Sequence, residues 1–217
     1  MSRSKDAWAY HPTTAFAAER DAPANPAGLF VMATERVCIV DTETTGLQRD
    51  ARIVEIAAAW LDLVRGEITD SRTMLVNPGM PIPRDATGVH GIRDRDVCDK
   101  PSIDRVLTPF FAFVGQGPVV AHNAGFDVKR LRFECERTRV RIPGKIPVWC
   151  SMKLARKAFP GRNTYRLDAL AADLDLARGE QAHRAKADVG VTARLVLACV
   201  LAAKKDLRDI APQEDTL

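Results

Sequence analysis

Three strand-like runs follow one another early in the chain, the first two apolar: Arg36 to Asp41, Ile53 to Leu63 and Glu67 to Val76. Parallel neighbours need a crossover of about a dozen residues or more, usually helical, so runs this closely linked are expected to pair as an antiparallel meander. The first run, RVCIVD, is β-branched and reads as a buried strand. Gly66 marks the turn into the third, and Pro78 to Pro83 breaks the pattern. Helical spacing then runs from Ile103 to Val114 behind Ser102, a plausible N-cap. Val119 to Ala121 is a short strand, Gly125 to Arg139 a helix and Ile146 to Trp149 another strand. Ser151 to Phe159, Leu167 to Asp173 and Asp188 to Ala203 read as helices. The order βββαβαβααα predicts an α/β layered domain, a mixed sheet with helices packed on its faces.

A chain of 217 residues suits one domain with tails and needs no disulfide or structural metal to bury a core. Residues 1 to 27 mix Ser, Thr, Ala and Pro without a sustained period, so residues 1–31 are expected to be a flexible tail. Met32 is then an alternative start. Residues 205–217 are expected to form a short polar tail that frays, which leaves 32–204 as the domain. The longest apolar run, Leu195 to Ala203, is nine residues. A membrane span needs roughly 20, and no secretory leader pattern opens the chain. Five cysteines without a C-x-x-C support neither a zinc site nor a disulfide framework, and a reducing cytoplasm is the expected location.

Net charge is +4, unevenly placed. Residues 129 to 166 hold 12 Lys or Arg against Glu134 and Glu136, so the rest of the chain is acidic. Taken alone, such a block is a solvated helix face; inside an acidic chain it also suits a polyanion such as nucleic acid.

Three short elements carry the chemistry. Asp41 and Glu43 are two apart where the first strand ends, so they project from one face. Two close carboxylates repel unless a cation lies between them, and hard oxygen ligands suit Mg²⁺ or Mn²⁺. The bland alternative is a polar strand end in solvent. The small residues of Thr44-Thr45-Gly46-Leu47 raise the case, because such a turn lets a ligand approach the backbone. The second element, His122 to Asp127, links a strand to the basic helix and sets Asp127 in its first turn, where an acid is at home without any ligand. In the third, His183 lies five residues ahead of Asp188 at the start of the last helix. Histidine is the side chain best poised to take a proton near neutral pH.

In order along the chain, D-x-E, H-N-x-x-F-D and H-x-x-x-x-D resemble the DEDDh family of 3′→5′ exonucleases, most closely its exonuclease X and polymerase III epsilon-like branch. Ile53 to Ile56, Asn77-Pro78, Val89 to Ile92 and Leu167 to Leu170 are supporting echoes, and the resemblance spans about residues 36 to 203. It implies a ribonuclease H-like fold: a mixed five-stranded sheet, three antiparallel strands then two parallel, flanked by helices. It implies two Mg²⁺ or Mn²⁺ ions held by Asp41, Glu43, Asp127 and Asp188, with His183 as general base. The product would be a nucleoside 5′-monophosphate from a single-stranded or frayed 3′ DNA end. Thr44, Gly46 and Leu47 would line the terminal nucleotide, with His90, Asn123 and Phe126 as weaker candidates and core packing an equal role for Phe126. Lys and Arg between 129 and 166, Arg130 and Arg132 among them, would hold phosphates. A polymerase is a partner of the epsilon branch, but the few residues after the last helix argue against a tight polymerase subunit. RNA as substrate, a non-catalytic accessory module and a structural metal domain are the alternatives. A complete set of acids with its histidine favours the enzyme.

Overall fold

A computed structural model describes residues 34–176 and 183–217; the tail expected over 1–31 and Met32 lie outside them. Three long strands open the domain, β1 (Arg36–Thr44), β2 (Ile53–Asp62) and β3 (Glu67–Leu75). They form the expected meander, with Val37 opposite Leu61 and Glu55 opposite Leu75. Two short helices, α1 (Arg84–His90) and α2 (Asp94–Val97), precede α3 (Ile103–Val114). Then come β4 (Val119–Ala121), α4 (Gly125–Thr138), β5 (Pro147–Cys150), α5 (Ser151–Ala158) and α6 (Leu167–Asp173). The chain ends with α7 (Ala185–Ala203), α8 (Leu207–Ile210) and β6 (Asp215–Thr216).

The sheet order is β3-β2-β1-β4-β5-β6, with β4 parallel to both β1 and β5. Helices cover both faces, which is why β1 is apolar on both sides rather than alternating. Val37 and Ile39 pack with Leu154, Leu170, Val189 and Val196 of α5, α6 and α7. Cys38 and Val40, on the opposite face, pack with Leu107 and Phe110 of α3 and Leu131 of α4. The carboxyl ends of β1, β4 and β5 therefore point the same way, where open α/β sheets gather their ligands.

The sheet has six strands, not five, because the C-terminus does not fray. β6 pairs antiparallel with β5. Leu217 is buried, and Ile146 and Leu217 exchange N–H···O bonds of 2.9 and 2.8 Å. Asp206 caps α8 and accepts from Thr34 N at 2.6 Å, tying the two ends of the described chain together. Isolated apolar anchors, Leu207, Ile210 and Leu217, do this in a stretch that is polar on average. The helix α7 begins at Ala185, three residues before the expected Asp188. No helix among the described residues is long and apolar enough to cross a membrane.

Candidate active site

Asp41 and Glu43 lie on the face of β1 that α7 covers, and Asp188 comes from the first turn of α7. One carboxylate oxygen from each of the three falls within 4.8 Å of the others. Ala57 stands opposite Asp41 and leaves room there, while Glu43 faces Glu55 across the ladder. Asp127 approaches from the other face, in the first turn of α4, and its Oδ1 accepts from the Thr42 hydroxyl at 2.7 Å. The four acids thus meet at the end of β1 from two sides, three of them tightly grouped.

Their electrostatics are adverse without a cation. Burial, then the fields of Asp127, Glu43, Asp188 and Glu55, hold the Asp41 carboxyl well above the usual carboxylate range. Glu43 is pushed up to about 8, first by burial and then by Asp188, Glu55 and Asp127, with Arg184 opposing. Burial raises Asp127 too, against the Thr42 hydrogen bond. Carboxylates crowded this way are the hard oxygen donors that a divalent cation such as Mg²⁺ or Mn²⁺ takes, so the donor set fits that class of ion.

His183 precedes α7 in a left-handed backbone conformation, φ 58°. Arg184 follows as the N-cap residue and donates through Nε and Nη2 to Glu55 at 3.0 and 2.5 Å. Ala185 N donates to the same carboxylate at 2.9 Å. Sequence reasoning counted Glu55 only among supporting echoes and passed over Arg184. The signal was there: a lone acid inside an apolar strand has to be paired.

Thr44 Oγ1 donates to Gly46 O at 2.7 Å, and Gly46 takes φ 151°, a value suited to glycine. That turn lifts Leu47 into solvent, 83% exposed. His90 is buried, with Nδ1 accepting from Ile92 N at 3.0 Å and Nε2 against Thr44 O at 3.2 Å. Nε2 therefore carries the proton, and burial lowers the pKa of the ring. His90 braces Thr44 from behind. Asn123 is exposed at φ 60°, and Phe126 is half-buried under the Arg130 guanidinium, 5.5 Å from its ring centre. His122 is pushed down to about 4 by burial; its ring joins Ser151 Oγ at 2.9 Å and Tyr165 O at 3.0 Å. It ties the loop before α6 to the end of β4.

The basic segment is less free than its charge implies. Arg130, expected on phosphates, is buried and donates to Arg49 O and Ala51 O at 2.9 and 3.2 Å. Arg132 pairs with Asp215 at 2.7 Å and pins β6. Arg137, Lys153, Arg162 and Arg166 pair with Glu134, Glu214, Asp173 and Asp168. Three of those four acids lie outside the segment, so counting charge within it overstated the field. Lys129, Arg139, Arg141, Lys145 and Lys157 are exposed and in no ion pair among the described residues.

The RNase_T family model, described as an exonuclease, matches residues 38–196. The DNA polymerase III subunit epsilon of Rickettsia prowazekii (strain Madrid E) is 33% identical over 174 residues, 77% of this chain and 75% of that protein. Exodeoxyribonuclease 10 of Escherichia coli (strain K12) is 36% identical over 163 residues, 73% of this chain and 66% of that protein. The solved structure of exonuclease X in complex with 5′ overhanging duplex DNA superposes with a TM-score of 0.63 at 34% identity, covering 78% of this chain and 93% of that one.

Proposed function

Because the chain belongs to the RNase_T exonuclease family, as a divalent-metal-dependent 3′→5′ exonuclease of the DEDDh type, we propose that it removes nucleoside 5′-monophosphates from the 3′ ends of DNA. The observation that carries this reading is the convergence of Asp41, Glu43 and Asp188 within 4.8 Å, with His183 two residues ahead of the helix that carries Asp188. On this reading the exonuclease domain surrounds the matched 38–196 and runs past the expected limit of 204, because α8 and β6 complete its core and sheet.

Asp41, Glu43, Asp127 and Asp188 would hold two Mg²⁺ or Mn²⁺ ions, which supply Lewis acidity and offset the charge that builds at the scissile phosphate. His183 takes the proton from the attacking water as its oxygen closes on phosphorus. The bond to the 3′ oxygen breaks, and the terminal nucleotide leaves with its 5′ phosphate. Leu47, raised into solvent by the Gly46 turn, separates the terminal base from its neighbour, and Thr44 and Gly46 line the sugar side. Phe126 and Asn123 flank the entrance to α4 as weaker contacts. His90 acts through Thr44 and does not touch the nucleotide.

DNA is favoured by the relatives whose names carry it, an exodeoxyribonuclease and a DNA polymerase subunit. A polymerase partner rests on the second name alone, so free 3′ ends are the substrate proposed. The five cysteines, all unpaired, fit the cytoplasmic location expected from the sequence.

The test is a panel of 3′-labelled single- and double-stranded DNA and RNA in Mg²⁺, Mn²⁺ and EDTA. Mononucleotides should leave DNA in either metal and stop in EDTA. Undiminished digestion in EDTA, or digestion of RNA alone, contradicts the reading.

A further inference from the structure

Glu55 is the third residue of β2, 1% exposed, between Val54 and Ile56 and across from Glu43. A buried carboxylate is retained only with partners, and the donors bonded to Glu55 come from the start of α7, about 130 residues further on. The Arg184 fork closes on it through two nitrogens, and the Ala185 N–H, left open at the helix start, finds its acceptor there. Hydrogen bonding to Glu55 raises the guanidinium's own pKa, so Arg184 stays charged.

Glu55 does not belong to the group of converging acids, and its negative charge works against them. Its use is geometric. The body of α7 is already held by its apolar face, with Ala185, Val189, Leu195 and Val196 in the core, and Asp188 N bonds back to Arg184 O at 3.0 Å. His183, one residue before the clamp, has no helix to hold it and adopts a left-handed backbone, which persists in a non-glycine residue only where the surroundings fix it.

We propose that Glu55 is a positioning residue for the hydrolysis: by gripping Arg184 and the Ala185 N–H it fixes the backbone at His183, and so the place of the imidazole that takes the proton. The proposal rests on the reading of His183 as general base.

The test is a mutant cycle read as kcat and KM on a 3′-labelled single-stranded oligonucleotide in saturating Mg²⁺. Glu55→Gln should lower kcat by about 10- to 100-fold with KM little changed, the scale on which small misplacements of a reacting group act. In a His183→Ala background the same change should cost less than about two-fold, because the group it positions is gone. Arg184→Gln breaks the clamp from its more exposed side and should behave the same way, so an insoluble Glu55→Gln protein does not remove the test. Asp206→Asn, at the other end of α7, loses buried bonds and should lower the melting temperature while leaving kcat at the wild-type value.

A wild-type kcat for Glu55→Gln or Arg184→Gln, with His183→Ala slow, overturns the clamp and leaves the base. An undiminished cost of Glu55→Gln in the His183→Ala background overturns it too, since the effect then travels by another route. A wild-type rate for His183→Ala removes the base itself, and the clamp falls with it.

Discussion

Two kinds of buried acid occur in this domain. Glu134, fully buried in α4, accepts from Ile53 N at 3.3 Å and from the Arg137 guanidinium at 2.9 and 2.6 Å. Asp206 accepts from Thr34 and Arg208, and those hydrogen bonds hold its carboxyl below the usual range. Asp41 and Glu43 are surrounded by further acids, and their pKa values move the other way. An acid ringed by donors locks two parts of the chain together. An acid ringed by acids is a burden on the fold until a cation joins it, and that difference separates scaffold from site.

The comparison breaks first at the chemistry. Chelation should take hydrolysis to background, and Asp41→Asn in saturating metal should cut kcat by about 10²–10³-fold or more, the range seen when preorganised charge is removed from a reacting centre. The same change should raise the melting temperature of the metal-free protein, because it relieves repulsion. A lower melting temperature would place Asp41 with the structural acids.

His183→Ala should cost about 10²–10⁴-fold in kcat, the usual worth of a positioned acid–base group, and leave metal binding in place. Loss of metal binding would make the histidine a ligand or a support.

Stability against pH sharpens the contrast. Glu43 titrates near 8 in the folded protein and near 4.3 when unfolded, so between those values the folded state holds a proton that the unfolded state has released. Stability therefore falls as pH rises through that window. Burial lowers His90 and His122, whose effect ends near their unfolded value of about 6.5, and Asp206 is ionised in both states at neutral pH. From about pH 6.5 to 7.5, below the range in which unfolded cysteine thiols ionise, the melting temperature in EDTA should drop, and saturating Mg²⁺ or Mn²⁺ should remove most of the slope. A flat profile in EDTA would mean that the acids are not in conflict.

The smallest effect concerns the basic segment. Lys129→Ala should flatten the salt dependence of single-strand binding by about 0.7 in slope, the value of one released phosphate contact. Arg132→Ala should leave that slope alone and loosen β6. A slope that responds to Arg132 and not to Lys129 would reverse the assignment.

The tightly grouped acids were legible because local rules set them. A two-residue period put Asp41 and Glu43 on one face, and the spacing before the last helix put Asp188 in its first turn. The meander and the two parallel strands followed from apolar runs and link lengths. What stayed hidden is non-local. Arg184 and Glu55 are 129 residues apart, and Arg132 reaches Asp215 across 83, so spacing says nothing of either pair. The helices α1 and α2, seven and four residues long, are too short to display a period. The sixth strand is two residues long and is fixed by pairing with β5.

Calorimetric titration of metal-free protein with Mn²⁺ tests the central claim most directly, with Asp188→Asn and Asp206→Asn run beside the wild type. The wild type and Asp206→Asn should bind the ion alike, and Asp188→Asn should lose most of the affinity. Equal binding by all three proteins, or none by the wild type, would contradict the assignment of the crowded acids at the end of β1 as the metal site.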